Sequence, residues 1–218
     1  MVVLVAPDKF KGSLTAAEVA AFLRTGLSSV GVESVSLPLA DGGDGSVDAA
    51  VSAGFARRSV TVPNALGVLH ETSIAERGSG VRGSGLRGSG VRGSTVVVEV
   101  ANTCGLATLP AGVLRPLDAS SAGVGEAVRQ ALLLRPSTLV LALGGSASTD
   151  GGVGLLAALG LSFLDATGAA LPPSGRSLPS IARVTGSVEV AGVEIVVAGD
   201  VTNPLTGPDG SAAVYGPQ

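Results

Sequence analysis

The chain contains two lysines, and both lie in the segment Asp8-Lys9-Phe10-Lys11-Gly12-Ser13. Lysine provides a compact positive charge that can follow a phosphoryl group, whereas the guanidinium of arginine is a planar fork. The segment follows an apolar run and precedes a helix signal, so that Ser13 and the first N–H groups of the helix can also bind an anion. These residues predict a site for a phosphate or a carboxylate. The alternative interpretation is an ordinary solvated loop.

Three clusters of carboxylates and glycines follow other apolar runs. They are Asp41-Gly42-Gly43-Asp44-Gly45, the segment from Gly144, Gly145 and Ser146 to Asp150, and the pair Asp200 and Asn203. Carboxylates can bind Mg²⁺ or act as a general base, and glycine-rich turns before a helix can hold phosphate. The second cluster lacks both the Gly-Lys-Ser/Thr of a P-loop and the Gly-x-Gly-x-x-Gly of a dinucleotide site. Each cluster alone could be a structural turn, but three at strand ends indicate one shared site.

Apolar runs alternate with helix signals along the chain. Val2–Ala6 and Thr138–Leu143 are apolar runs, and Val193–Ala198 repeats the pattern, which is typical of strands buried on both faces. Thr15-Ala16-Ala17-Glu18 has the spacing of a capping box, and Val124–Leu134 has the periodicity of an amphipathic helix. This alternation predicts an α/β fold with a doubly wound, mostly parallel sheet. Ligands bind such sheets at the carboxyl ends of the strands, where the polar clusters fall.

One segment departs from this pattern. Arg77–Ser94 repeats Arg-Gly-Ser-Gly-Val/Leu with a period of five, between the strand-like runs Glu71–Ala75 and Thr95–Val100. A period of five fits neither a helix nor a strand, and glycine and serine bury too little apolar surface to favour an ordered structure. A nucleic-acid-binding arm is the alternative, but the segment has no aromatic residues that could stack on bases. We interpret it as an expanded, solvated loop.

The composition excludes several classes of protein. A net charge of −3 gives no reason to expect nucleic acid as a partner, and one histidine and one cysteine exclude a Cys/His zinc site. Although 45% of the residues are hydrophobic and 14% are charged, no apolar run reaches the roughly 18 residues of a membrane span. The amino terminus lacks the charge pattern of a signal peptide, and the lone Cys104 fits a reducing compartment. We therefore expect a cytoplasmic protein without a membrane partner.

The motifs, in their order along the chain, resemble those of the bacterial glycerate kinases. They are Ala6–Leu14, Pro38–Gly45, Gly144–Gly152, Asp200–Leu205 and Gly207–Gln218. The sequence departs from the family pattern in three ways: Lys9 stands where many relatives have serine, the repeat replaces a short turn, and relatives continue beyond the final Gly-Pro-Gln. The resemblance implies a two-domain α/β enzyme. Residues 1–60 and 110–218 would form a flavodoxin-like domain that is incomplete at its carboxyl end, and 61–109, including the loop 77–94, would be part of a smaller domain.

The resemblance also implies ATP-dependent phosphorylation of D-glycerate, with Mg²⁺. Lys11, supported by Lys9, is then expected to neutralise phosphate or glycerate oxygens. The candidates for general base and Mg²⁺ ligand are Asp41, Asp150 and Asp200, which the sequence does not rank. Expected substrate- and phosphate-binding residues are Asp8, Lys9, Ser13, Gly42, Gly43, Gly144, Gly145, Ser146 and Asn203, with Arg115, Ser120, Ser121 and Glu126 as secondary candidates.

Two other functions stay open at this point. The chain could be a non-catalytic module that binds a nucleotide or a sugar acid, or an inactive, truncated remnant of a kinase. The partners expected for a kinase are ATP and D-glycerate, and association into a homo-oligomer is left open. Because the chain is apolar and its relatives are longer, we expect an apolar surface that nothing in residues 1–218 covers.

Overall fold

The computed structural model describes residues 1–10, 12–78, 93–188, 190 and 192–215. Within these ranges the chain forms short strands and helices that largely alternate. The strands are β1 (Val2–Val5), β2 (Glu33–Ser36), β3 (Ala56–Pro63), β4 (Leu69–Arg77), β5 (Thr95–Glu99), β6 (Thr138–Ala142), β7 (Leu161–Leu164), β8 (Arg183–Gly186) and β9 (Glu194–Ala198). The α-helices are α1 (Ala16–Ser29), α2 (Ser46–Ser52), α3 (Val100–Cys104), α4 (Ala122–Leu132), α5 (Val153–Ala158) and α6 (Ser211–Tyr215).

A five-stranded sheet in the order β3-β4-β5-β6-β9 forms the centre of the fold. β5, β6 and β9 are parallel to one another, whereas β3 and β4 are antiparallel to their neighbours. β1 and β2 form a separate parallel pair, and β7 and β8 form an antiparallel pair. The α/β class predicted from the sequence is confirmed. Of the parallel strands, β2 and β6 are followed by the glycine-rich clusters, β9 is followed by Asp200 and Asn203, and β5 leads directly into α3.

The main core lies between this sheet and α4. The fully buried side chains Val62, Val98 and Leu139 of the sheet belong to one cluster with Val124 of α4. α4 also packs closely on α5, because Gly125 has no side chain: a Cβ atom there would lie 2.6 Å from the Leu155 carbonyl oxygen. Strands from both 61–109 and the later part of the chain share this sheet and this core. The assignment of 61–109 to a smaller domain stays a prediction.

Helix α1 begins where the sequence predicts. The Thr15 hydroxyl oxygen accepts the Glu18 N–H at 3.2 Å, and the Glu18 carboxylate accepts the Thr15 N–H at 2.8 Å. This reciprocal pair is the capping box expected from the Thr-x-x-Glu spacing. The hydrogen bond from the Thr15 N–H, with that from its hydroxyl, lowers the pKa of the Glu18 carboxyl.

Two of the strands predicted from apolar runs are less buried than their composition predicts. Leu4 in β1 is 61% exposed, and Val197 in β9 is 60% exposed. The prediction of strands is right, but the prediction that both faces are buried is wrong within the described residues. The reason is topological: β1 pairs with β2 alone, and β9 lies at the edge of its sheet.

Most of the Arg-Gly-Ser repeat, residues 79–92, lies outside the described residues, so its interpretation as a loop stays a prediction. The strands on either side pair as a hairpin, with Arg77 opposite Thr95. The Arg77 guanidinium lies 4.5 Å from the centre of the Phe55 ring, so the first arginine of the repeat belongs to β4.

Candidate active site

The loops that follow β2, β6 and β9 meet at the carboxyl ends of these strands, and the first two are glycine-rich. The Gly144 N–H donates a hydrogen bond to the Gly42 carbonyl oxygen at 3.0 Å. A Cβ atom on Gly42 would lie 2.7 Å from the carbonyl carbon and oxygen of Ala198, and one on Gly144 would lie 2.5 Å from the Gly43 Cα. Gly42 also has a φ of +91°, a conformation that favours glycine. The glycines therefore allow three strand ends to approach backbone to backbone.

The loop after β1 joins this group through β2. The Leu39 N–H donates to the Pro7 carbonyl oxygen at 2.9 Å. Lys9 lies in the same loop, and its ammonium nitrogen is 3.8 Å from Asp8 Oδ1 and 3.9 Å from Asp41 Oδ1. Only 12% of the Lys9 side chain is exposed. The structure thus places a nearly buried positive charge between two carboxylates. Lys11, the other predicted lysine, lies outside the described residues.

Asp41 and Asp200 flank the contact between Gly42 and Ala198. The Asp41 Oδ1 atom accepts the Gly43 N–H at 2.9 Å, and 38% of this side chain is exposed. Asp200 is exposed, two residues beyond the end of β9. Both carboxylates are accessible from solvent, so either can meet a ligand.

A cavity of about 340 Å³ adjoins the carboxyl ends of β1 and β2. Asp8 and Lys9 line it, together with Asp44, the first residues of α1 and the middle and end of α2. A wider surface depression of about 1040 Å³ is lined by the end of α1 and by β2, and it contains none of the predicted site residues. The smaller cavity therefore contains two of the predicted site residues, Asp8 and Lys9, whereas Asp41 and Asp200 do not line it.

Asp150 is in a different environment from the other two aspartates. It is 2% exposed, and its Oδ2 atom accepts the Ser121 N–H at 2.7 Å, the Ser121 hydroxyl at 2.8 Å and the Gly154 N–H at 3.1 Å. Its Oδ1 atom accepts the Gly152 N–H at 3.1 Å and the Ser148 hydroxyl at 3.4 Å. These five donors fill the lone pairs of the carboxylate. Asp150 ties the glycine-rich loop to the starts of α4 and α5, and a direct chemical role for it stays a prediction.

Several predicted anion-binding groups make hydrogen bonds within the protein. The Ser13 N–H and hydroxyl both donate to the Phe10 carbonyl oxygen, at 2.9 and 3.1 Å. The Ser146 hydroxyl oxygen accepts the Ser148 N–H at 3.2 Å. The Asn203 amide donates to the Asp209 carbonyl oxygen at 2.9 Å and accepts the Tyr215 hydroxyl at 3.0 Å. These contacts define the loops, and binding of an anion by these groups stays a prediction.

The secondary candidates lie beside Asp150 or on the surface. The Ser121 hydroxyl oxygen accepts the Leu155 N–H at 2.9 Å as well as donating to Asp150, and the Ser120 hydroxyl oxygen accepts the Ala122 N–H at 3.2 Å. Glu126 pairs with Arg129 one turn further along α4, at 2.8 Å. Arg115 is exposed. Among these secondary candidates, Ser121 is hydrogen-bonded to a predicted site residue, Asp150.

Glu99 contacts a loop of the site, and it is not among the residues predicted from the sequence. It ends β5, is 2% exposed, and its carboxylate accepts the N–H groups of Gly45 at 3.1 Å and Val47 at 2.8 Å. Burial raises the pKa of the Glu99 carboxyl, and the two N–H donors act in the opposite direction. The sequence feature that could have indicated Glu99 is its charge within the otherwise apolar run Thr95–Val100.

The donor set fits Mg²⁺ through a small number of carboxylates. Within the described ranges, no group of three or more His, Cys, Asp or Glu side chains is placed to hold a metal ion. Mg²⁺ sites that include substrate phosphates commonly use one or two carboxylates, with water in the remaining positions. The accessible oxygens of Asp41 and Asp200 meet that requirement. No helix among the described residues is long and apolar enough to cross a membrane.

Fold and site together define an α/β protein in which the loops after three parallel strands, β2, β6 and β9, meet near a lysine and two accessible aspartates. The sequence model of the glycerate kinase family matches residues 3–218, and the chain belongs to that family. The glycerate kinase of Bacillus subtilis (strain 168) is 37% identical over 230 residues, which cover 100% of this chain and 55% of the relative. The glycerate 2-kinase of Escherichia coli (strain K12) is 35% identical over 228 residues, with the same coverage.

A solved structure gives the same result for the fold. The crystal structure of a candidate glycerate kinase 2 from Salmonella typhimurium LT2 superposes with a TM-score of 0.81 at 34% sequence identity. The match covers 100% of this chain and 56% of the Salmonella chain. The chain therefore spans about half the length of the relatives that it matches.

Proposed function

We propose that the protein carrying this chain phosphorylates D-glycerate with ATP, at the strand ends of β1, β2, β6 and β9. The observation that carries the proposal is the convergence of three strand-end loops, two of them glycine-rich, beside Lys9 and Asp41. Phosphoryl transfer depends mainly on positioning and on neutralising charge, with little covalent chemistry for the protein to perform. A lysine, two carboxylates and close-packed loops supply those elements. Membership of the glycerate kinase family supports this substrate class.

We assign the positive charge to Lys9 and Lys11. Only 12% of the Lys9 side chain is exposed, and its ammonium lies 3.9 Å from Asp41 Oδ1. Water screens its charge less there than at an open surface, which supports this assignment. An anionic phosphate or the glycerate carboxylate can take over its interaction with Asp8 or Asp41. Lys11 shares this role on the evidence of the sequence alone, since it lies two residues further along the same loop.

Asp41 is the candidate general base. Its carboxylate is held by the Gly43 N–H and faces Lys9, so it is fixed in position yet 38% exposed. A carboxylate held in this way can accept a hydrogen bond from a glycerate hydroxyl and orient it for attack. Asp150 would act indirectly, by holding the loop 144–152 in place.

Mg²⁺ would be held by Asp200, with Asp41 nearby. When bound, the ion neutralises phosphate charge in the transition state. Asp200 is exposed and accepts no hydrogen bond from the described residues, so its oxygens are available to a hydrated ion. We propose ATP as the phosphoryl donor and the cytoplasm as the location of this reaction.

The test is ADP release by the purified protein, as its source organism expresses it. We expect release that requires both Mg²⁺ and D-glycerate, and that L-glycerate does not support at the same rate. Binding of ATP or D-glycerate without turnover would instead favour a non-catalytic binding module. Absence of both binding and turnover would refute the proposed function.

A further inference from the structure

We infer that Glu99 is a positioning residue that fixes the loop Asp41–Gly45 against the central sheet and thereby sets the place of Asp41 in the site. The inference rests on the proposed function, since Asp41 matters for that reaction. Glu99 itself is 2% exposed, and both of its carboxylate oxygens accept hydrogen bonds, so it is not placed to touch a substrate.

The burial of Glu99 needs a cause. A carboxylate taken out of water is unfavourable unless hydrogen bonds replace the lost hydration, and an apolar side chain would fill the same space without that penalty. The two bonds that Glu99 gains come from Gly45 and Val47, whose N–H groups lie at the start of α2 and have no partner within the helix. The buried charge is therefore explained by the backbone that it holds.

Glu99 is also fixed at its own backbone. The Thr103 hydroxyl donates to the Glu99 carbonyl oxygen at 2.9 Å, across the turn from β5 into α3. Thr103 is fully buried. The carboxylate therefore projects from a rigid point of the central sheet, which suits a residue that positions another segment.

The loop between β2 and α2 is anchored at two places. Near its beginning, the Gly42 carbonyl oxygen accepts the Gly144 N–H at 3.0 Å. At its end, Gly45 and Val47 are held by Glu99. Without the second anchor the loop can pivot about the Gly42 contact. Gly43 lies between the two anchors, so the hydrogen bond from its N–H to Asp41, which precedes the first anchor, would then loosen.

The experiment compares Glu99→Gln and Glu99→Ala with Val98→Ala. Val98 precedes Glu99 in β5 and is fully buried in the main core, so its truncation weakens the same strand without touching the loop. The Gln variant keeps the shape of Glu99 and one acceptor oxygen, and it covers the case in which the Ala variant does not fold.

The first readout is NMR-detected amide exchange. In Glu99→Gln we expect the amides of Gly45, Val47 and Gly43 to exchange at least about tenfold faster, while the amides of β6 keep their protection. The Gly43 amide reports directly on the hydrogen bond to Asp41. Unchanged exchange at Gly45 and Val47 would show that Glu99 is no anchor. Faster exchange at those two amides with Gly43 unchanged would show that the effect stops short of Asp41. Either result overturns the inference.

The second readout separates kcat from KM in the ADP-release assay. Misplacement of a catalytic group by about 1 Å can cost on the order of a hundredfold in rate, so we expect kcat to fall by about that factor in Glu99→Ala and by less in Glu99→Gln. KM values should change little, and Val98→Ala should keep the wild-type kcat despite its lower stability. The positioning role would be refuted if Glu99→Gln kept the wild-type kcat although its Gly45, Val47 and Gly43 amides exchanged faster. It would also be refuted if kcat fell as far in Val98→Ala as in Glu99→Ala. Absence of turnover in the wild type would refute the proposed function instead, and the Gly43 amide would then decide the inference.

Discussion

Replacing Gly42 by alanine tests whether the loops after β2 and β9 meet as described. The new Cβ atom would lie 2.7 Å from the carbonyl carbon and oxygen of Ala198, which are backbone atoms and cannot rotate away. The residue would also keep a φ of +91°. A left-handed conformation costs an alanine about 1–2 kcal/mol, and a forced contact in a packed region costs about 1–3 kcal/mol. The free energy of unfolding should therefore fall by about 2–5 kcal/mol.

Gly67→Ala is the matched control. Gly67 has a φ of +83°, and nothing lies within 4 Å of its Cβ position. Its substitution should cost only the conformational part, about 1–2 kcal/mol. Urea unfolding followed by far-UV circular dichroism measures both variants, since the chain has no tryptophan and one tyrosine. Equal destabilisation by the two substitutions would refute the close contact between the loops.

Three further predictions concern other parts of the chain. Cys104 is buried, and burial raises the pKa of its thiol to about 11, so iodoacetamide at pH 8 should label it only after unfolding. Mass spectrometry that detects labelled Cys104 in native protein would contradict this. Deletion of residues 79–92 should change the free energy of unfolding by less than about 1 kcal/mol, because the entropic cost of closing a loop depends weakly on its length. A larger loss of stability in urea unfolding would show that the repeat stabilises the fold. Ile195 and Val197 of β9 are 45% and 60% exposed, so residues 1–218 alone should bind a hydrophobic dye and elute as an oligomer on size-exclusion chromatography. A monomer that does not increase the fluorescence of the dye would contradict this.

The local structure followed closely from the sequence. The capping box at Thr15 and the apolar runs of β6 and β9 each predicted an element within two residues of its bounds, because these signals arise from neighbouring residues. The antiparallel pair β7 and β8 was not predicted, since its strands are four residues long and weakly patterned. Burial of β1 and β9 was predicted wrongly, because coverage of a strand depends on which elements pack against it.

The site was predictable as a set of loops but not as a set of contacts. The glycine clusters marked the strand ends, yet the sequence did not indicate that Gly42 would contact both Gly144 and Ala198. It also grouped Asp150 with Asp41, although five internal donors surround the Asp150 carboxylate. Such differences depend on contacts between residues far apart in the chain, which local patterns do not encode.

The kcat/KM of Asp41→Asn measures the central proposal most directly, beside an Asp165→Asn control. Asp165 lies in the turn after β7, where its carboxylate accepts hydrogen bonds from the backbone of its own turn. If Asp41 orients the glycerate hydroxyl, loss of its charge should lower kcat/KM for D-glycerate by at least about a hundredfold, equivalent to roughly 2.7 kcal/mol of transition-state stabilisation. The Asp165 variant should keep nearly the wild-type value. Wild-type kcat/KM in Asp41→Asn would contradict the assignment of the active site to these strand ends.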